Sequence, residues 1–303
     1  MARVTIGSGA MRVPGRRSRG SVVAPGTVKY TGIYVVLGAY CLFSLVIFLW
    51  VVVTSFKTNT EILMFAPWHL PETLQWENLR AAWERGVGRM FRNSLFIAGL
   101  GTIGSVALSC FAAYPIARIP FRFNQPLLMF FLVGIMIPYP LTAIPLYRVV
   151  EDLRQEYTWI NVYMILIVLY AVAGVSFNTF VMTGFYRTLP FELEEAAALD
   201  GASPFRTFWQ VMLPLARPGI ASLLILNFVT WWNEFFYALL FVRDQSQYTV
   251  TLGLTYLDQQ AVYSGKWVGI FAGMTLTMIP VLIIFGLLQR QITRGLTVGA
   301  LKG

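Results

Sequence analysis

The sequence predicts an all-α integral membrane protein with six transmembrane helices. Its 303 residues are 57% hydrophobic and 12% charged, a charged fraction about half that of an ordinary soluble domain. Six apolar stretches each have the roughly 20 residues that a helix needs to cross a bilayer. Helices are favoured because hydrocarbon offers no water to the backbone. The predicted spans are residues 33–56, 93–117, 126–147, 161–183, 219–242 and 267–289.

The first thirty residues form a predicted basic arm, rich in arginine and free of acidic residues. The apolar run that follows is too long for the core of a cleaved signal peptide, so we expect it to remain as an anchor. Residues 31–289 then form the six-span domain, and residues 290–303 form a C-terminal tail.

The second span contains Gly99-Leu-Gly-Thr-Ile-Gly104, which matches the dinucleotide pattern G-x-G-x-x-G. That pattern requires a preceding strand and an open helix end, and a membrane span provides neither. Small residues at four-residue intervals instead indicate close packing between helices. They are Gly101, Ser105, Ser109 and Ala113.

Two further spans carry local signals. The third contains Ile-Pro-Tyr-Pro at residues 137–140, which predicts a bend or a break because proline removes a helical hydrogen bond. The fifth contains Glu234, the one Asp, Glu, Lys or Arg found inside any of the six predicted spans.

The distribution of Lys and Arg predicts the orientation. The two tails and the loops at residues 118–125 and 184–219 hold 14 basic and four acidic residues, whereas the opposite loops hold nine of each. By the positive-inside rule, both termini and the 184–219 loop are cytoplasmic. The net charge of +9 is thus explained by topology, without a basic patch for nucleic acid.

The 184–219 loop is too polar for hydrocarbon and is predicted to form two short helices. Pro190 can open the first, and Gly201 suits its end. Ser203 can cap the second, with Pro204 at its first position. Phe205, Phe208 and Met212 then share one apolar face, which we expect to be exposed. The loop is slightly acidic, which disfavours DNA binding by a helix-turn-helix and favours a partner with basic groups; a purely structural loop is the remaining alternative.

Polar and aromatic residues surround Glu234 in the fifth span. An intramembrane carboxylate usually faces a bundle interior or an aqueous cavity, so a solute pathway is one interpretation. A structural hydrogen-bonding group near a helix end, within an interfacial aromatic belt, is the other. The candidate pathway residues are Asn227, Trp232, Asn233, Glu234 and Tyr237.

Several motifs together resemble one family. Glu195-Ala-Ala-Ala-Leu-Asp-Gly201, followed at the expected distance by Leu213-Pro214, is similar to the E-A-A loop of permease subunits in ATP-binding-cassette importers. The tail Gly-Leu-Thr-Val-Gly-Ala-Leu-Lys-Gly at residues 295–303 resembles that of sugar permeases of the maltose-permease type, as does Trp232-Asn-Glu-Phe235. The resemblance extends over the chain from about residue 30.

The resemblance implies a type I importer fold whose E-A-A loop is a cytoplasmic coupling helix pair that docks on a separate ATPase. It also implies tail contacts with that ATPase at Gly295, Thr297, Gly299 and Lys302. The coupling residues that it implies are Glu195, Ala196, Ala197, Asp200, Gly201, Phe205, Phe208, Leu213 and Pro214.

The same resemblance implies a multi-pass subunit of the bacterial inner membrane that moves a sugar or oligosaccharide by alternating access. Its partners would be a second, non-identical permease, an ATPase dimer and an extracytoplasmic solute-binding protein. ATP and Mg²⁺ would bind the ATPase, and this chain would hold no cofactor or metal and catalyse no reaction. Glycerol phosphate or another polyol derivative is the alternative solute.

Two other classes of protein fit the sequence less well. A secondary transporter typically has inverted repeats and ion-coordinating carboxylates, and we find one intramembrane carboxylate and no clear repeat. A membrane enzyme needs clustered catalytic groups, whereas the chain has one histidine, His69, and a lone Glu234 inside its spans.

Overall fold

The computed structural model describes the backbone of residues 25–300 and the side chains of residues 31–287. All regular elements in this part of the chain are helical. The α-helices are α1 (Pro25–Thr54), α2 (Asn59–Met64), α3 (Glu77–Ala82), α4 (Gly88–Arg118), α5 (Asn124–Met136), α6 (Ala143–Glu156), α7 (Val162–Thr188), α8 (Glu192–Leu199), α9 (Pro204–Thr207), α10 (Leu213–Leu215), α11 (Arg217–Trp232), α12 (Phe236–Phe241), α13 (Val250–Ser264) and α14 (Val268–Ala300).

Four shorter helical turns connect these elements. Trp83–Val87 and Phe208–Met212 are π-helical, and Tyr139–Thr142 and Gln245–Gln247 are 3₁₀ turns. Contacts divide the chain into two units, residues 1–49 and residues 50–303. The first unit contains most of the apolar helix α1, and the second contains the remaining helices.

Among the described residues, four helical stretches are individually long and apolar enough to cross a membrane: Thr31–Thr54, Glu77–Arg118, Val162–Thr188 and Val268–Leu287. Two bent pairs raise the number to six if each pair is one span. They are Asn124–Met136 with Tyr139–Glu156, and Pro204–Leu215 with Arg217–Trp232. The predicted helical membrane class is confirmed, and the count of six depends on the bent pairs.

The predicted break in the third span is confirmed. Helix α5 ends at Met136, and the helical stretch Tyr139–Glu156 that follows is bent by 88° relative to α5. Ile137 and Pro138 are both extended, with ψ values of 113° and 117°. Ile137 directly precedes a proline, whose ring disfavours the helical conformation of the residue before it. This restriction ends α5, and the chain starts in a new direction.

The fifth predicted span is also interrupted, which the sequence did not indicate. Helix α11 ends at Trp232 and α12 begins at Phe236, so the stretch 219–242 is not a single helix. The side chain of Asn233 donates to the carbonyl of Val229 at 2.8 Å, and the Glu234 carboxylate accepts from backbone N–H groups of the next helix. These side chains satisfy the helix ends that the break exposes.

Helices α4 and α7 pack closely, and small residues allow it. A Cβ on Gly101 would lie 2.6 Å from the Cβ of Tyr170, so this position requires glycine. Ser105, Ser109 and Ala113 are fully buried on the same helix. In lipid, helices associate through such close contacts rather than through the hydrophobic effect. The packing interpretation of the Gly99–Gly104 pattern is therefore confirmed.

Two of the four buried hydrophobic clusters in the described part of the chain join α7 to other elements. One includes Leu166 and Tyr170 of α7 and Tyr237 of α12. The other includes Tyr186 of α7, together with Phe208 and residues of α4. The second cluster joins the polar 184–219 loop directly to the spanning helices.

Candidate functional site

The turn between α8 and α9 depends on Gly201. Its φ of +77° is in the left-handed region, which only glycine adopts at little cost. The N–H of Gly201 donates to the carbonyl of Ala198 at 3.0 Å, and that of Ala202 donates to Ala197 at 2.9 Å. These two bonds form a Schellman motif, which satisfies the last carbonyls of α8. The predicted glycine stop is thus present.

The second helix of the loop begins as its sequence predicts. The Ser203 side chain accepts a hydrogen bond from the N–H of Arg206 at 3.3 Å, and Pro204 occupies the first helical position. The chain then widens into the π-helical turn Phe208–Met212 before Leu213 and Pro214, which are partly buried. The first helix begins at Glu192, two residues later than Pro190 suggests.

The tip of this loop exposes apolar and acidic side chains together. Leu199 is 90% exposed and Phe205 is 67% exposed, on either side of the Gly201 turn. Glu195 and Asp200 are also exposed. Large apolar side chains held on a rigid, solvent-facing turn are typical of a protein contact surface. We call Glu195, Leu199, Asp200 and Phe205 the loop tip.

Phe208 does not belong to that exposed surface, contrary to the prediction. It is 3% exposed, and Met212 is fully buried. The Phe208 ring lies 5.1 Å from that of Tyr114 and 5.3 Å from that of Phe111, both on α4. The predicted apolar face is therefore divided: Phe205 faces outward, and Phe208 anchors the loop to the bundle. Ala196 is exposed and Ala197 is partly buried.

Two residues that are prominent in the structure, Leu199 and Arg118, have only weak signals in the sequence. Leu199 stood out only as an apolar residue at the end of a polar helix, and Arg118 only as a basic flank of the second span. In the structure, Arg118 donates to the carbonyl of Leu189 at 2.6 Å and lies 3.8 Å from the carboxylate of Glu194. Both ionic side chains are nearly buried.

A cavity of about 620 Å³ adjoins the break between α11 and α12. Three of the predicted pathway residues, Asn233, Glu234 and Tyr237, line it. Aromatic, small polar and aliphatic residues from α5, α7, α11 and the segments around them complete the lining. They include Tyr139, Ser176, Phe177, Thr230, Trp231, Phe235 and Phe236.

The Glu234 carboxylate is occupied by hydrogen bonds from the protein itself. One oxygen accepts from the N–H of Tyr237 at 2.8 Å. The other accepts from the Tyr170 hydroxyl at 2.8 Å and from the N–H of Ala238 at 3.3 Å. Glu234 thus caps the start of α12 and ties it to α7. This geometry favours the interpretation of Glu234 as a structural hydrogen-bonding group. The residue lies on the cavity wall.

Asn227 and Trp232 lie in helix contacts and not on the cavity lining. The amide groups of Asn227 and Asn178 exchange two hydrogen bonds, of 2.8 and 3.1 Å, and Asn178 also donates to Ser105 at 2.9 Å. Trp232 is 3% exposed and packs on Phe91 and Phe228. Both side chains therefore connect helices in the structure, and their place in a solute pathway stays a prediction.

The tail residues predicted to contact the ATPase lie in the last part of α14 and beyond it. The backbone of α14 runs through Gly295, Thr297 and Gly299. The side chain of Thr297 and the whole of Lys302 lie outside the described residues.

The sequence matches the family of binding-protein-dependent transport system inner membrane components over residues 105–298. Among similar proteins are a diacetylchitobiose uptake permease of Streptomyces coelicolor, 33% identical over 84% of this chain and 83% of its own, and a maltose/maltodextrin permease of Salmonella typhimurium, 35% identical over 77% and 83%. An sn-glycerol-3-phosphate permease of Pectobacterium atrosepticum is 32% identical over 78% and 85%.

The fold has a counterpart among solved structures. One chain of a bacterial ABC transporter involved in the import of the acidic polysaccharide alginate superposes with a TM-score of 0.73. The alignment covers 92% of this chain and 99% of that chain at 19% identity. This likeness concerns the fold, and it agrees with the importer-permease architecture that the E-A-A loop predicts.

Proposed function

We propose that this chain, which belongs to the family of binding-protein-dependent transport system inner membrane components, is the permease subunit of an ATP-driven importer for a sugar or oligosaccharide. The observation that carries the coupling role is the loop tip: Leu199 and Phe205 are exposed on a turn that Gly201 fixes. A rigid apolar projection with flanking carboxylates suits a cleft in an ATPase subunit that also offers basic groups.

In this mechanism the loop tip moves with the ATPase, and the spanning helices follow. The bundle opens outward when the nucleotide-bound ATPase dimer closes, and inward after nucleotide release. Phe208 supports this role because it buries the base of the loop against α4. ATP and Mg²⁺ belong to the ATPase, and this chain performs no bond chemistry.

The lining of the cavity beside α11 and α12 supports the solute class. Aromatic rings and neutral polar groups are suited to sugar rings and hydroxyls. Among the described lining residues there is one carboxylate, Glu234, and no Lys or Arg. A phosphate would favour a cationic lining, so this cavity supports a neutral saccharide over glycerol phosphate, although one relative is named for the latter. Relatives named for diacetylchitobiose and maltodextrin support the same choice.

The proposed assembly contains a second, non-identical permease, two ATPase subunits and an extracytoplasmic solute-binding protein. It lies in the bacterial inner membrane. The excess of Lys and Arg in the tails and the 184–219 loop supports a cytoplasmic position for both termini and for the loop tip.

The direct test is purification of the assembled transporter with its binding protein, followed by mass spectrometry of the small molecule that the binding protein retains. The identified compound is then offered to proteoliposomes containing ATP. We expect a neutral saccharide and ATP-dependent uptake. A phosphorylated polyol would refute the solute class, and uptake driven by an ion gradient without ATP would refute the importer mechanism.

A further inference from the structure

One buried charged group lies between the coupling loop and the membrane bundle. Arg118 is the last residue of α4, and its side chain is only 8% exposed. Its guanidinium donates to the carbonyl of Leu189 at the end of α7 and lies 5.9 Å from the ring of Phe191, just before α8. Glu194 of α8 provides the opposing charge and is 11% exposed. The Arg118 side chain therefore lies against the end of α7, the linker before α8 and α8 itself.

The ion pair is close in space but loosely joined. The nearest atoms, Nε of Arg118 and Oε2 of Glu194, are 3.8 Å apart, beyond hydrogen-bonding distance. Among the described residues, neither that Nε nor Oε1 of Glu194 has a hydrogen-bond partner. Arginine cannot release its proton in a protein, so the buried charge is retained, and it is held by the hydrogen bond to Leu189 and by electrostatic attraction to Glu194. A small shift of α8 toward α4 would bring Oε2 of Glu194 within hydrogen-bonding distance of Nε of Arg118.

Helix α8 otherwise makes its larger contacts within its own loop, with α9 and the π-helical turn. The Arg118–Glu194 pair is thus a direct link from α8 to a spanning helix.

We propose that Arg118 is a positioning residue for transport, which transmits displacement of α8 to the cytoplasmic ends of α4 and α7. This inference rests on the proposed docking of the loop tip on an ATPase. In this proposal Arg118 acts through α8 and not by contact with that partner. It lies on the bundle side of the loop, while Leu199 and Phe205 lie at the exposed tip.

The test uses the complete transporter in lipid nanodiscs, with spin labels at Gln155 and Gln259, which are exposed on α6 and α13. Both positions lie on the side that the charge distribution assigns to the exterior, so their distance reports whether displacement of α8 reaches the opposite end of the bundle. The label-to-label distance is measured without nucleotide and with ATP, Mg²⁺ and vanadate. Recovery of the ATPase subunits and their rate of ATP hydrolysis are measured on the same samples. The variant is Arg118→Gln, and the matched control is Arg122→Gln, which removes an exposed arginine four residues further on.

We expect Arg118→Gln to retain the ATPase subunits and hydrolyse ATP, while the fraction of molecules that change distance falls roughly three- to thirtyfold. Arg122→Gln should behave like the wild type. If Arg118→Gln fails to fold, the double variant with Glu194→Gln leaves no unpaired buried charge; it should assemble and show the same loss. A wild-type distance change in the assembled variant would overturn the proposal, as would loss of ATPase subunits from folded Arg118→Gln. Failure of the wild-type chain to retain any ATPase would instead refute the proposed function.

Discussion

Replacement of Gly201 tests the geometry of the coupling loop. A Cβ at this position would meet no atom within 4 Å, so Gly201→Val introduces no clash in the isolated chain. The φ of +77° is the source of the cost. Holding a non-glycine residue in the left-handed region costs about 1–2 kcal/mol, and a β-branched residue is among the least suited to it.

That cost translates into the population of the correct turn. A strain of about 1–2 kcal/mol lowers the ratio of native to relaxed turns by about five- to thirtyfold. Gly201→Val should therefore reach the membrane in normal amounts but retain less ATPase and show lower solute-stimulated ATP hydrolysis. Gly201→Asn should recover much of the activity, because asparagine tolerates this conformation better than other side chains.

A matched control is present on another loop. Gly265 has a φ of +67°, and a Cβ added there would also meet no atom within 4 Å. Gly265→Val introduces comparable strain at the end of α13, away from the coupling loop, so ATPase retention should be unchanged. If Gly201→Val retains and stimulates the ATPase as the wild type does, the left-handed turn is not part of the coupling mechanism.

Three further predictions concern other parts of the chain. Leu199→Ser should leave the permease stable but weaken ATPase binding more than about tenfold, since burying a leucine contributes about 1.5–3 kcal/mol; unchanged affinity in a titration would exclude Leu199 from the contact. Glu234→Ala should reduce recovery of the complex by uncapping α12, whereas Glu234→Gln should transport nearly normally; loss of transport by well-assembled Glu234→Gln would show that the charge itself is required. Hydrogen bonds, chiefly from the N–H of Glu72, lower the pKa of Glu61, so its stabilisation is full above the unfolded pKa of about 4.3 and disappears as the pH falls through the folded value. Hydrogen exchange of the backbone amides of α2 and of Glu72 should accelerate below about pH 4 in the wild type but not in Glu61→Gln. Equal acceleration in both would contradict this stabilising role of Glu61.

Local features of the fold could be predicted because they depend on neighbouring residues. The break at Pro138 follows from the backbone restriction that proline imposes on the residue before it. The stop at Gly201 and the cap at Ser203 depend on hydrogen bonds within three to five residues. Apolar length alone predicted the four long apolar helices that could each cross a membrane.

The facing of side chains could not be predicted in the same way. In a membrane bundle, lipid-facing and buried surfaces are both apolar, so periodicity does not distinguish them. The sequence therefore assigns Phe208 to an exposed face and Asn227 to a solute pathway, although α4 and α7 bury them. The Arg118–Glu194 pair joins residues far apart in the chain, and no local pattern in the sequence indicates it.

The most direct test of the coupling role is a photo-crosslinking amino acid placed at Phe205 in the assembled transporter. Trp68 is the control position, because it is 82% exposed and lies on the side that the charge distribution assigns to the exterior. We predict a cross-link from position 205 to an ATPase subunit and none to that subunit from position 68. Absence of any cross-link between position 205 and the ATPase, or a cross-link to the ATPase from position 68, would contradict the account.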